Sequence, residues 1–411
     1  MKIGIISNLY PPFVRGGAEI VAAVQAGALK QSWQHVFVIS TRPKYLRPWT
    51  MSLMLPDILD VTTDEVDEVI VYRFRPLNVY YYLDDFKYPG WLRLLWHLVD
   101  TFNIFSYRTI KKILLSERPD VVITHNLMGL GFLLPRLLRK LKIRHIHVLH
   151  DLQLITPSGL IIKNKEKSWE HGFFTVVGYV RAMKSIWGSP DAVISPSKYL
   201  LSAYTKEGFF PYSKKIVLPN PIKSLVQVKR VEKSTLDLLY LGQVSRAKGA
   251  PDLIRVFHEL SQSDLRLHVV GLGQDMNLAK KIAGGDQRII FHGWLQHSDL
   301  QPLIGQVDVL IVPSLCYENS PTVIYEALSM GLPVLVADIG GAAELIQEDY
   351  NGWIFPAGDF TALKSKIINL YNRREKLAEL SDNCRQSVAD YLVENYSKKL
   401  LDVINEHGQT K

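Results

Sequence analysis

Two doubly wound α/β domains, each a parallel sheet covered by helices, are the architecture this sequence predicts. Three observations carry that expectation. The chain has 411 residues, beyond the size at which one core keeps growing. Short runs rich in Val, Ile and Leu alternate from end to end with longer amphipathic stretches, which is the rhythm of buried parallel strands and their covering helices. The rhythm restarts once, beside a cluster of prolines.

In the first half the strand-like runs are Lys2–Ser7, Val36–Ser40, Val69–Phe74, Val121–Thr124 and His145–His150. The changeover holds Pro211, Pro219 and Pro221; proline fixes its own φ and restricts the residue before it, so this stretch suits a stiff connector. Beyond Val217–Pro221 come Leu236–Leu241, Leu265–Val270, Ile289–Phe291, Val307–Ile311 and Pro333–Val336. After Phe360 the strand-like runs cease, and Leu363–Tyr371, Lys376–Tyr391 and Ser397–Glu406 read as helices that pack back across the junction. The predicted division is a first domain over 1–213, a second over 214–385, and a helix over 386–411 returning to the first.

Composition narrows the function classes. With 47% apolar and 21% charged residues, the chain has no room for a long disordered tract. Met1 to Ser7 hold one lysine and a four-residue apolar run, shorter than the ~7 residues a signal peptide needs. No run approaches the ~18 uncharged apolar residues of a membrane span. A cytoplasmic location is expected, including peripheral attachment to the inner face of the cytoplasmic membrane. Cys316 and Cys384, the two cysteines, form neither a disulfide framework nor a zinc-ligand spacing and read as reduced packing residues.

The net charge of +8 is unevenly spread: residues 1–190 carry 24 Lys+Arg against 15 Asp+Glu, and residues 191–411 carry 24 against 25. A basic first half attracts nucleic acid, anionic lipid or a phosphorylated substrate. With no helix-turn-helix, RNA-binding signature or basic stripe, nucleic acid is not an expected partner.

The stretch Ser314–Gly331, S-L-C-Y-E-N-S-P-T-V-I-Y-E-A-L-S-M-G, reads as a loop and helix directly after a buried strand. Ser320 suits the N-cap, Pro321 the first helical position and Gly331 the left-handed stop, which predicts a helix from Pro321 to Met330. Its free N–H groups would lie at the carboxyl edge of the sheet, where phosphates bind. Glu318 in the loop and Glu326 in the helix suit the vicinal hydroxyls of a sugar or a ribose.

Glu318 and Glu326 form an E-x7-E pair within E-N-S-P-T-V-I-Y-E-A-L-S-M-G-L-P-V, and this segment resembles the family 4 (group 1) retaining glycosyltransferases of the GT-B fold. Gly340 and Gly341 in D-I-G-G-A-A-E-L-I, Asn351–Gly352, Pro356–Asp359 and the upstream L-Y-L-G-Q-V-S-R-A-K-G follow in the family's order. The likeness is strong over roughly residues 215 to 375. It is looser in the first half, through Gly16–Gly17–Ala18–Glu19, Arg118–Asn126 and Val148–Asp151.

The resemblance implies two Rossmann-like domains facing each other across a cleft, the first binding a glycan, glycolipid or lipid-linked acceptor and the second a nucleotide-diphosphate sugar. It implies a catalytic set of His150, Glu318 and Lys248, with His150 at the reacting sugar and Lys248 facing the diphosphate. Glu326 would hold the ribose, and Asn319, Ser320 and Thr322 would line the phosphates. Gly16 and Gly17 would bring backbone N–H groups to a ligand, and Gly271 and Gly273 would approach the base.

Gln243 stands where the family has an arginine, and Arg246 either supplies that charge or is an ordinary surface residue. No Asp-x-Asp occurs, so neither metal nor other cofactor is expected beside the donor. Met276 replaces the third glycine of a dinucleotide fingerprint, which argues against a nicotinamide. The leading reading is a retaining hexosyltransferase acting on cell-surface polysaccharide or glycoconjugate. Beside it stand a nucleotide-sugar epimerase on the same architecture and a non-catalytic binder, the latter motivated by Gln243.

Trp91–Tyr107 places Trp91, Leu94, Leu95, Leu98, Phe102 and Phe105 on one face of a predicted helix, with Arg108, Lys111 and Lys112 following. Such a face either packs on its own sheet or meets an anionic lipid surface.

Overall fold

The structure is a computed structural model that describes the chain except residues 33, 44–60, 165–172, 227, 229–232 and 407–411. In the first domain, β1 (Lys2–Ile6), β2 (His35–Thr41), β3 (Thr62–Val66), β4 (Val69–Phe74), β5 (Val121–Thr124), β6 (Arg144–Val148), β7 (Ala192–Ser195) and β8 (Lys214–Val217) form one sheet in the order β3-β4-β2-β1-β5-β6-β7-β8. Every pairing is parallel except β3 with β4. In the second, β9 (Leu236–Leu241), β10 (Leu265–Val270), β11 (Ile289–Gly293), β12 (Val309–Val312), β13 (Val334–Asp338) and β14 (Gly352–Pro356) form an all-parallel sheet, β11-β10-β9-β12-β13-β14.

The central strands are buried throughout, as with β5 (V-V-I-T) and β12 (V-L-I-V), because helices cover both faces of each sheet. Their apolar runs made them readable. β3 is the polar T-T-D-E-V on the antiparallel edge and β8 is K-K-I-V on the other edge; neither carries a hydrophobic signal. Because β8 belongs to the first sheet, the crossing between domains begins after Val217, a few residues beyond the predicted boundary at 213/214.

The chain crosses twice, and the crossings run side by side: Ile222 N–H donates to the Tyr391 carbonyl and Val393 N–H to that of Ile222, both at 2.9 Å. After the second crossing the helix Val393–Asn405 sinks Tyr396, Leu400, Val403 and Ile404 into a core with Ile3, Ile5, Ala22, Ala26 and Leu29 of the first domain. Burial on this scale is worth about 1.5–3 kcal/mol for each large apolar side chain. Arg144 of β6 fixes the helix end by donating to the Val403 carbonyl at 2.7 Å.

The domains also meet near the cleft. Ile162 bridges to Cys316. The Glu344 carboxylate accepts from the N–H groups of Lys198 and Tyr199, at 2.8 and 2.6 Å, and so caps the helix Lys198–Lys206 from the other domain.

Two predicted helices are broken. Lys376–Tyr391 resolves into a 3-10 turn (Arg374–Leu380), a short α-helix (Ser381–Ser387) and a second 3-10 turn (Ala389–Tyr391); Ser381, Asp382 and Asn383, residues that favour helix starts over helix interiors, open the middle piece. Trp91–Tyr107 becomes Gly90–Thr101 and Ile104–Glu117, because the Asn103 side chain accepts from Ser106 N–H at 2.9 Å and starts a new helix.

Candidate functional site

A cavity of about 390 Å³ lies between the carboxyl edges of the two sheets, where α/β folds bind ligands. Its first-domain wall is Arg15 to Glu19, Tyr82, Asn126, His150 and Asp151; its second-domain wall includes Gln243, Lys248, Ser314 and Glu318 to Val323. Gly16, Gly17, His150, Gln243, Lys248, Glu318, Asn319, Ser320 and Thr322 are thus brought together from both halves of the chain.

The helix that follows Glu318 runs from Thr322 to Ser329, starting later than predicted. Pro321, with φ −69° and ψ 120°, takes the N-cap place and no side chain caps the first turn. Ser320 is not the cap: its Oγ shares a 2.6 Å hydrogen bond with the Tyr325 hydroxyl. Thr322 and Val323, in this uncapped first turn, line the cavity.

The loop holding Glu318 is seated on two glycines whose reason was invisible in the sequence. Gly340 has φ +64°, and a Cβ on it would stand 2.1 Å from the Glu318 carbonyl oxygen. A Cβ on Gly341 would stand 2.2 Å from the Asn319 carbonyl oxygen, and Gly341 N–H donates to the Glu318 carbonyl at 2.6 Å.

Lys248 Nζ donates to Glu318 Oε1 at 2.6 Å, and Ser314 Oγ donates to the same oxygen at 2.7 Å. Burial works against the lysine's charge, but the Glu318 carboxylate outweighs it and raises the Lys248 pKa. The cation and the Glu318 carboxylate are therefore one hydrogen-bonded unit on the second-domain wall.

Opposite them, His150 Nε2 shares a 2.8 Å hydrogen bond with Nδ1 of the buried His125. Burial pushes His150 down to about 4, so the ring is neutral at pH 7 and offers hydrogen bonds rather than charge. The His150 carbonyl accepts from Asn319 Nδ2 at 3.0 Å, tying the two walls directly. Next to it Asp151 accepts from Asn126 Nδ2 at 3.2 Å and Gln153 N–H at 2.9 Å. Burial pushes its carboxyl up to about 6, against the Gln153 hydrogen bond and with the help of Glu19.

Arg15 and Tyr82 are cavity residues the sequence did not single out, and Asn126 entered only as the end of the Arg118–Asn126 motif. The Arg15 guanidinium lies 4.6 Å from the Tyr82 ring centroid. Its signal was its place just before the Gly16–Gly17 turn; Tyr82, inside a run of three tyrosines, carried none.

Four nominated residues lie outside this cavity. Arg246 is exposed and does not line the cavity, its backbone N–H bound to Asp275 Oδ2 at 2.7 Å. A Cβ on Gly271 would stand 1.9 Å from the Gly242 carbonyl oxygen, and one on Gly273 2.2 Å from that of Val244. Both glycines are needed for the turns after β9 and β10 to touch, which supports the strip carrying Gln243. Glu326 faces a neighbouring cavity of about 480 Å³, between the helices Gly17–Gln31 and Thr322–Ser329, that shares Asn220 and Thr322 with the cleft. Burial pushes its carboxyl up to about 7.

Residues 15–224 match the family model for glycosyltransferase family 4, and residues 235–373 match that for glycosyl transferases group 1. An uncharacterized 42.6 kDa protein from the cps region of Klebsiella pneumoniae is 26% identical over 84% of this chain and 87% of its own. The lipopolysaccharide 1,6-galactosyltransferase of Escherichia coli K12 is 31% identical over 42% of this chain and 51% of its own. Among solved structures, sucrose-phosphate synthase from Thermosynechococcus elongatus superposes with a TM-score of 0.77 at 19% identity, covering 100% of both chains. Anabaena HepE in complex with UDP superposes at 0.70 and 16% identity, over 99% of this chain and 100% of that one; at such identities the likeness is one of fold. With both halves matched and the two sheets facing across one cleft, the chain belongs to the family 4, group 1 glycosyltransferases of the GT-B fold.

Proposed function

We propose that the protein transfers a hexose from a nucleotide-diphosphate sugar to a glycan, glycolipid or lipid-linked acceptor, with retention of anomeric configuration and without a metal, in the assembly of a cell-surface polysaccharide or glycoconjugate. The observation that carries this reading is the Lys248–Glu318 pair, 2.6 Å apart beside the uncapped first turn of the helix Thr322–Ser329. A lysine and helix N–H groups suit a leaving diphosphate, and a carboxylate beside them suits the hydroxyls of the sugar being moved. Arg15 brings a second cation to the cavity from the opposite wall.

Relatives support the acceptor class. The Escherichia coli enzyme named UDP-Gal:alpha-D-GlcNAc-diphosphoundecaprenol alpha-1,3-galactosyltransferase is 29% identical over 28% of this chain and 27% of its own. A cytoplasmic site of action with peripheral attachment to an anionic membrane belongs to the same proposal; among the described residues no helix is long and apolar enough to cross a membrane.

The test is thermal melting against a panel of nucleotide diphosphates and nucleotide sugars, followed by turnover in the presence of EDTA. A ligand at 100 times its Kd stabilises by about 2.7 kcal/mol, so one donor class is expected to shift the transition selectively. Turnover is expected to survive chelation, with the product anomer matching the donor by NMR. An inverted product, or activity lost with EDTA and restored by a divalent ion, would overturn those parts. Gln243 specifically favours the other reading, a non-catalytic nucleotide-sugar binder; selective binding with no transfer and no donor hydrolysis would establish it.

Donor binding is expected to depend on pH through Glu326. With its carboxyl at about 7 in the empty protein, ribose hydroxyls donating to the ionised form must displace a proton at lower pH. Affinity therefore rises with pH, and Kd is expected about tenfold tighter at pH 8 than at pH 6. Calorimetric titration of Glu326→Gln should give a flat, weaker profile; an unchanged slope would remove Glu326 from the nucleotide site.

A further inference from the structure

We propose that the consecutive helices Gly90–Thr101 and Ile104–Glu117 form a seat on an anionic bilayer that holds the acceptor wall of the cleft at the membrane surface. The proposal rests on the transferase reading above and adds to it the partner surface from which a lipid-linked acceptor arrives.

Of the six residues predicted for the apolar face, Phe105 is partly buried against the first-domain core, and the other five are turned to water. Trp91, Leu94, Leu95, Leu98, Phe102 and Ile104 are between 45% and 70% exposed. The first helix is instead anchored by its other side: Trp96 is 2% exposed and donates from Nε1 to the Tyr80 carbonyl at 2.9 Å. Asp100, also buried, accepts from Gly129 N–H at 2.8 Å. A firmly held helix that turns a row of large apolar side chains to water bears an interaction surface, since isolated exposed residues are ordinary but a contiguous set is not.

Charge selects the occupant. Residues 90–117 contain four basic residues, Arg93, Arg108, Lys111 and Lys112, against two acidic residues, the buried Asp100 and Glu117, whose charge is met by Lys2. Arg108 and Lys112 are exposed. An exposed apolar row with a tryptophan at one end and cations at the other is the pattern of an interfacial helix, in which apolar side chains enter the headgroup boundary and cations meet anionic headgroups.

The seat is joined to the cleft by one aromatic layer. The Trp96 ring lies 6.0 Å from that of Tyr82, and Tyr82, beneath Arg15, lines the cavity. A bilayer meeting the outer face of this helix therefore lies on the acceptor side of the site, so that a lipid-anchored glycan enters past Tyr82.

The test is sedimentation of the full chain with vesicles of phosphatidylcholine alone or mixed with phosphatidylglycerol, at low and high salt, for wild type and Leu94→Glu/Leu98→Glu. Both substituted positions are exposed, so folding is checked by an unchanged melting temperature. The wild type is expected to bind the phosphatidylglycerol vesicles at least tenfold more tightly than the neutral ones and to be released by salt, and the double variant to lose binding at least tenfold. No binding at low salt, equal binding to neutral vesicles, or full binding by the variant would each overturn the proposal. So would a concentration-dependent oligomer that the variant abolishes without any vesicle binding, which would make the face a protein interface. The nucleotide shift, measured in the same samples, reports separately on the transferase reading and is expected to be the same in both proteins.

Discussion

Lys248→Ala is expected to lower kcat/KM about 10²- to 10³-fold while leaving the fold intact. The lysine is the cation of the second-domain wall, hydrogen-bonded to Glu318 at 2.6 Å, and in the proposed reaction negative charge grows on the departing diphosphate. Removing one preorganised group that stabilises such charge costs about 2.7–4 kcal/mol in the transition state. The loss should fall mainly on kcat, because charge on the leaving group is greatest in the transition state. Lys248→Arg keeps the charge but not the compact ammonium that fits beside Glu318 and Ser314, so it should recover only part of the rate. A Lys248→Ala enzyme with unchanged kcat would remove this residue from the mechanism.

Gly340→Ala is expected to be as damaging from outside the cavity. Its φ of +64° is left-handed, and a Cβ would stand 2.1 Å from the Glu318 carbonyl oxygen. Strain plus displacement of a backbone carbonyl should cost about 2–4 kcal/mol of stability. Because the atom displaced belongs to Glu318, activity should fall further than stability, about 100-fold for a shift near 1 Å. Gly284→Ala is the control: its φ is +59°, but a Cβ there comes no nearer than 3.8 Å to another atom. It should lose about 1–2 kcal/mol with activity retained at temperatures where the protein stays folded. Equal activity loss in the two variants would show that the effect is general destabilisation and not the seating of Glu318.

Much of this arrangement was legible in the sequence because parallel strands buried on both faces must be apolar. β1, β2, β4, β5 and β6, and then β9 to β13, all announce themselves in that way. The strands without a signal are the edge strands β3, β8 and β14, where one side needs no pairing, and β7, whose apolar run is short. At the site, Glu318, Lys248 and the Gly16–Gly17 turn were readable from local motifs. Other features depend on what the fold brings near. Arg15 and Tyr82 meet the second domain only in three dimensions, and Gly340 is required by a loop twenty-two residues upstream in the chain. The His125–His150 pair joins residues just past the ends of neighbouring strands, which no linear pattern connects. The same limit explains Trp91–Tyr107: periodicity gave an apolar face, but only the placement of Trp96 shows that the helix is held by its opposite side.

The side-by-side crossings at Ile222 and Tyr391–Val393 have a mechanical consequence. A single tether would let the two domains swivel and slide, whereas two tethers bonded to each other act as a bound spine that resists torsion. Relative motion about such a spine is expected to be rocking about one line, the cleft opening as a book does. Opening in that sense parts the Asn319 amide from the His150 carbonyl and the Glu344 carboxylate from the helix it caps. A mouth of this kind would widen without shearing, so Lys248 and Glu318, both on the same leaf, are expected to stay in register as it does.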